Sequence, residues 1–110
     1  MSLNALIINT LNPLGFPVRF LELFKKDGSP DTYITFFEYN QNGNLHADDH
    51  EIRSNHYIQV DLFSKEDYTD IVKQVKELLK TVGFTRTFET ELFETETEYY
   101  HKVIRFIFVQ

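Results

Sequence analysis

Apolar positions recur along this chain in two rhythms, one helical and one alternating. Leu3, Leu6, Ile7 and Leu11 follow helical spacing, and Asn12, Pro13 and Gly15 end the run. The stretch PVRFLELF at 17–24 suits a strand, the cluster KKDGSPD at 25–31 a turn, and TYITFFEYN at 32–40 a second strand. The two strands read as an antiparallel hairpin. Between 40 and 55 only Leu45 and Ile52 can anchor the chain, so this stretch is expected to be a long loop. HYIQVDLFS at 56–64 then alternates cleanly, with Ile58, Val60 and Leu62 on one face and Tyr57, Gln59 and Asp61 on the other.

The strongest helical pattern follows. Tyr68, Ile71, Val72, Val75, Leu78, Leu79 and Val82 form one stripe, while Lys73, Gln74, Lys76, Glu77 and Lys80 face away. Ser64 is a candidate N-cap with Asp67 three residues on, and Gly83 stops the helix. Two strands at 84–93 and 99–109, joined by ETET at 94–97, close the pattern. The expected fold is α+β: a single domain over 1–110, in the order α-β-β-β-α-β-β. Its sheet of about five strands is mostly antiparallel, with two helices on one face.

The last strand is apolar on both sides. Ile104, Phe106 and Phe108 point one way, under the helix, while Val103, Ile107 and Val109 point the other, interrupted by Arg105. Ile34 and Phe36, opposite Tyr33 and Phe37, repeat the pattern in the second strand. A sheet covered on one side should have a polar outer face. Either this strand is central and buried on both sides within one molecule, or a second molecule covers the surplus face. Tyr33, Phe37, Val103, Arg105, Ile107 and Val109 are the candidate interface.

Composition narrows the chemistry. Seventeen acids against eleven Lys and Arg give a net charge of −6, which does not suit general phosphate binding. With no cysteine, disulfides, thiolate zinc sites and a cysteine nucleophile are excluded. No apolar run approaches the ~20 residues needed to span a bilayer, so no membrane role is expected. The N-terminal stretch lacks a basic segment and a small-residue cleavage site, and reads as a helix of the mature protein. Motifs such as Gly-x-Ser-x-Gly, Ser-x-x-Lys and the P-loop are absent, so no enzyme, cofactor or catalytic residue is assigned.

Two polar clusters stand out. His46, Asp48, Asp49, His50, Glu51 and His56 crowd 44–57, and the i, i+4 pair His46/His50 is a metal spacing if it lies on a helix. The Asn, Gly and Asp residues around the pair favour an irregular segment, so no metal ligand is assigned there. A loop of this length in a small domain is commonly functional. Leu45, His46, Asp48, Asp49, His50, Glu51 and Ile52 are therefore candidates for assembly contacts. Glu89, Glu91, Glu94, Glu96 and Glu98 gather around the last turn. They form either a charged edge that discourages strand addition or an acidic surface for a basic partner.

In element order the chain resembles the tail completion (tail terminator) proteins of long-tailed bacteriophages and prophages. The resemblance lies in the strand YIQVDLFS running directly into an amphipathic helix, HYIQVDLFSKEDYTDIVKQVKELLKTVGF, and in the closing strand HKVIRFIFV. The matching positions are Tyr57 to Phe63, Asp67 to Gly83 and His101 to Phe108. The resemblance implies a structural protein of the virion tail, assembled in the host cytoplasm. It would form a ring, usually a hexamer, that caps the head-proximal end of the tail tube, stops tube growth and offers the surface that docks to the head connector. Partners would be other copies of itself, the tube protein and the connector, with DNA passing without specific binding. The competing readings are an acidic inhibitor or DNA mimic centred on Glu89 to Glu98, and a small metal-dependent enzyme using His46, His50 and His56.

Overall fold

The computed structural model describes residues 2–39 and 55–110. The long stretch at 40–55, with its candidate residues Leu45 to Ile52, thus lies outside the described residues, except that Asn55 opens a strand. Helix α1 covers Leu3–Leu11, and the hydroxyl of Ser2 caps it by accepting from the Ala5 N–H at 3.1 Å. Strand β1 is Val18–Phe20, β2 Thr32–Tyr39 and β3 Asn55–Ser64. Helix α2 spans Thr69–Thr81, followed by β4 at Phe84–Glu94 and β5 at Tyr99–Val109. The strands form one mixed sheet in the order β1-β2-β3-β5-β4.

The element order agrees with the expected α+β fold, but one pairing differs. β1 and β2 run parallel, with Val18 opposite Ile34 and Phe20 opposite Phe36. The chain leaves β1 through Leu21, whose φ of 71° breaks the strand, so the apolar run at 17–24 yields only three strand residues. A 3₁₀ turn at Lys25–Asp27 follows. It is held by Asp27, which accepts from Arg19 at 2.9 and 2.7 Å and from the Phe24 N–H at 2.8 Å. Those bonds also hold the Asp27 carboxyl below the usual carboxylate range, the Arg19 hydrogen bond being the largest cause. The residues between the strands are enough for a crossover, where a hairpin needs only two to five.

Both helices lie on one face of the sheet. Ile7 and Leu11 of α1 and Val72, Val75 and Leu79 of α2 pack on Ile34, Phe36, Ile58, Val60, Leu62, Ile104 and Phe106, all buried. Burying each such side chain is worth roughly 1.5–3 kcal/mol, so this layer dominates the stability. The expected stripe on α2 is the observed one, with Tyr68, Ile71, Leu78 and Val82 at its margins. Its start differs. Ser64 ends β3, where its hydroxyl lies 3.0 Å from that of Thr32 and accepts from the Glu66 N–H. The first helical turn is tied instead by Asp67, whose carboxylate accepts from the Thr69 N–H at 3.0 Å and its hydroxyl at 2.7 Å.

Glu89 fastens α2 to the sheet. Its carboxylate lies 2.9 Å from Lys76 Nζ on the helix, 3.0 Å from Lys102 Nζ on β5 and 3.1 Å from Arg86 Nε. The Lys76 hydrogen bond, then that of Lys102, holds its carboxyl below the usual range against the opposing effect of partial burial. Gly83 turns the chain from α2 into β4 with a φ of 106°. A Cβ there would sit 3.2 Å from the ring of Phe108.

Two predictions follow from these junctions. Gly83→Ala should lower unfolding stability by about 1–2 kcal/mol, the cost of forcing an L-residue into a left-handed conformation; urea denaturation measures it. Glu89→Gln should cost about 1.5–3 kcal/mol at neutral pH, the scale of hydrogen bonds to a charged group. Because the folded carboxyl titrates below its unfolded value, near 4.3, this contribution is present above that pH and fades as pH falls through the folded value. The gap between wild type and Glu89→Gln should therefore close in acid.

Candidate functional site

No described helix covers the opposite face of the sheet. Directly paired residues share a face, so the register lays out this surface in rows. The first is Tyr33, Phe63, His101 and Leu92, and the second Thr35, Asp61, Val103 and Thr90. The third is Phe37, Gln59, Arg105 and Phe88, and the fourth Tyr39, Tyr57, Ile107 and Thr85. All six candidate interface residues, Tyr33, Phe37, Val103, Arg105, Ile107 and Val109, lie on this face.

The face shelters much of itself. Tyr33 stacks on Phe63 at 4.7 Å, and Phe63 on the His101 ring at 4.2 Å. Tyr99 meets Tyr33 edge-on at 5.5 Å, and its hydroxyl donates to the carbonyl of Pro30. Such ring pairs add about 0.5–1.5 kcal/mol each beyond the area they bury. This enclosure raises the Tyr33 hydroxyl to about 12, mainly by burial, with Tyr99 and Glu94 adding. Val103 is only 6 % exposed, whereas Tyr33, Phe37, Arg105 and Ile107 are half-buried and Val109 is 44 % exposed.

A polar chain crosses the centre. Asp61, 6 % exposed, takes a hydrogen bond from Gln59 Nε2 at 2.9 Å and lies 2.8 Å from His101 Nε2. A carboxylate only accepts, so the ring donates from Nε2. The other ring nitrogen is 3.9 Å from Glu94. Gln59 in turn accepts from Arg105 Nε at 3.0 Å. The Arg105 guanidinium lies over Tyr39 at 5.0 Å and Phe88 at 5.3 Å. A buried carboxylate is tolerated only when partnered, and these bonds partner it. They also tie β3 to β5 in one register, since a one-residue slip would send every partner to the opposite face.

The acidic cluster divides between the two faces. Glu89 and Glu91 point to the helix side, where Glu89 meets its basic partners and Glu91 accepts from the Tyr68 hydroxyl at 2.8 Å. Burial, then this bond, raises the Tyr68 hydroxyl. Glu94 lies on the helix-free face beside His101, while Glu96 and Glu98 are exposed in the hairpin turn. His56 lies 2.7 Å from Glu38 on the helix side, and among the described residues no three His, Asp or Glu side chains gather around a common metal position.

Alternation in 56–64 already assigned Tyr57, Gln59 and Asp61 to this face. The partnership of Asp61 with His101 is a fact of register between strands separated by α2 and β4, and periodicity within a strand carries no such information. Phe63, Phe88 and Leu92 join the surface for the same reason.

No protein-family model matches the sequence, and no curated protein matches it.

His101→Ala should destabilise the fold by about 1–3 kcal/mol, because it strips Asp61 of a partner while the carboxylate stays buried. His101→Ala combined with Asp61→Leu should recover part of that loss, since the stranded charge is then gone. Thermal or urea unfolding of the three proteins provides the measurement.

Proposed function

We propose that this protein is a non-catalytic assembly component, a ring-forming tail completion protein of a long-tailed phage or prophage. The observation that carries the reading is the helix-free, aromatic-rich face of the sheet. Its outer reaches keep Val109, Phe88 and Leu92 exposed, and such apolar surface marks a contact with another molecule. The segments on which the resemblance rests support it further. β3 passes through a short turn into amphipathic α2, and the closing strand is an inner strand of the sheet. A chain at −6 also suits a passage that DNA crosses, because phosphate binding requires basic side chains. The proposed partners are other copies of the chain, the tail tube and the head connector. The acidic-mimic reading is weakened by Glu89, whose charge is engaged by Lys76, Lys102 and Arg86. The metal-enzyme reading depends on His46 and His50, outside the described residues.

The test is multi-angle light scattering of the purified protein, alone and with polymerising tail tubes. A multimer, or a monomer that assembles on tube ends and halts their growth, is expected. Val109→Asp, at an exposed position, should reduce that assembly at least tenfold while leaving the circular dichroism spectrum unchanged. A chain that stays monomeric in both settings and leaves tube growth unaltered would refute the proposal.

A further inference from the structure

The exposed large apolar side chains are not spread evenly. Phe20, Leu21 and Phe24 lie at the β1 edge of the sheet, and Phe88 and Leu92 on the helix-free face of β4; Phe93 lies on the helix side of β4 beside Tyr100 of β5, and Val109 at the outer end of β5. Leu21 is 60 % exposed at one edge and Leu92 54 % at the other. The rings of Tyr100 and Phe93 meet at a tilt of 55° with centroids 5.0 Å apart, and both side chains stay exposed. Three strands separate the two patches.

Their charges differ as well. At the β1 edge Arg19 is neutralised by Asp27, and Lys26 lies over the Phe24 ring at 5.6 Å, with Lys25 beside it. Glu22 and Asp31 are the other charged residues of that stretch. At the β4 edge Glu89 is held by Lys76, Lys102 and Arg86 together, and Glu91, Glu94, Glu96 and Glu98 are the remaining acids of the strand and its turn. Two β4 edges facing each other would bring these acids together, which is repulsive. A β4 edge facing a β1 edge, where Lys25 and Lys26 balance Glu22 and Asp31, removes that repulsion and brings the two lysines to the glutamates, with apolar side chains at the centre.

Backbone strand addition is discouraged on both sides. The Phe20 carbonyl already accepts from the Glu22 N–H at 2.8 Å, and β4 carries a bulge between Arg86 and Phe88 and a row of charges. Side chains must therefore make the contact. The eleven residues of β4 extend about 36 Å, long enough to frame an interface of the standard size, roughly 800 Å² per partner.

We infer that the β4 edge of one copy docks against the β1 edge of the next, joining Phe88, Leu92 and Phe93 to Leu21 and Phe24, with Lys25 and Lys26 meeting the glutamates of the hairpin. The contact uses two different surfaces, so each copy has one of each to offer and association continues until the chain of copies closes. This rests on the ring reading above and names the surfaces that build the ring.

Two full-length variants test it. Phe24→Glu spoils the β1 edge and Leu92→Glu spoils the β4 edge, and the two altered edges repel each other; both sites are exposed, and circular dichroism verifies folding. Each variant alone should be monomeric by light scattering under conditions where the wild type, alone or on tail tubes, is multimeric. An equimolar mixture should give one-to-one dimers and nothing larger, because only one good pair of edges remains. Assembly that persists in either variant alone, or a mixture that stays monomeric, overturns the edge contact and leaves the ring reading standing. A wild type that is monomeric both alone and on tubes overturns the edge contact together with the ring.

Discussion

The architecture is governed by how little of a five-stranded sheet two short helices can cover. Neighbouring strands lie about 4.8 Å apart, so the sheet is roughly 19 Å wide. A helix with its side chains is about 10 Å across, so two side by side cover one face and no more. The apolar residues of α1 and α2 lie against that face and bury it almost completely. Among the described residues, the opposite face is stabilised by its own side chains. They do so by laying rings over one another and by running a hydrogen-bonded chain from His101 through Asp61 and Gln59 to Arg105.

That solution divides the molecule into regions with different requirements. On the helix side the side chains interdigitate and tolerate little change in volume. On the helix-free side flat rings shield a polar centre, and the burden is satisfaction of hydrogen bonds more than filling of space. At the two outer strands and the ends of β5 neither solution is complete, and the bare apolar side chains lie there. The proposed assembly is an extension of the same constraint, with a neighbouring copy supplying cover that the described residues of one chain do not.

Much of this was legible in the sequence because it depended on local spacing. The α2 stripe and the two-sided β5 appear in the structure with the faces that alternation assigned, Ile104 and Phe106 inward and Ile107 and Val109 outward. What was not legible depended on backbone turns or on distant pairing. The 17–24 run has strand composition throughout, but a positive φ at Leu21 ends the strand and converts a hairpin into a parallel crossover. Ser64 has the chemistry of a cap, yet β3 continues through it and the duty moves to Asp67. Of the candidate interface, the face was readable but the degree of shelter was not. Val103 is covered by neighbours that only strand register brings near, whereas Val109 lies near the outer end of its strand and stays bare.

The place of β5 between β3 and β4 has a consequence for biosynthesis. β3 is made well before its inner neighbour, with α2 and β4 emerging in between. At roughly 5–20 residues per second that interval lasts a few seconds. Throughout it the hydrogen-bonding edge of β3, with Ile58, Val60 and Leu62 along it, has no native mate within the nascent polypeptide. The edge strand β4 likewise has β5 as its one strand partner, so the centre of the sheet closes only once β5 has been made and can pair on both sides.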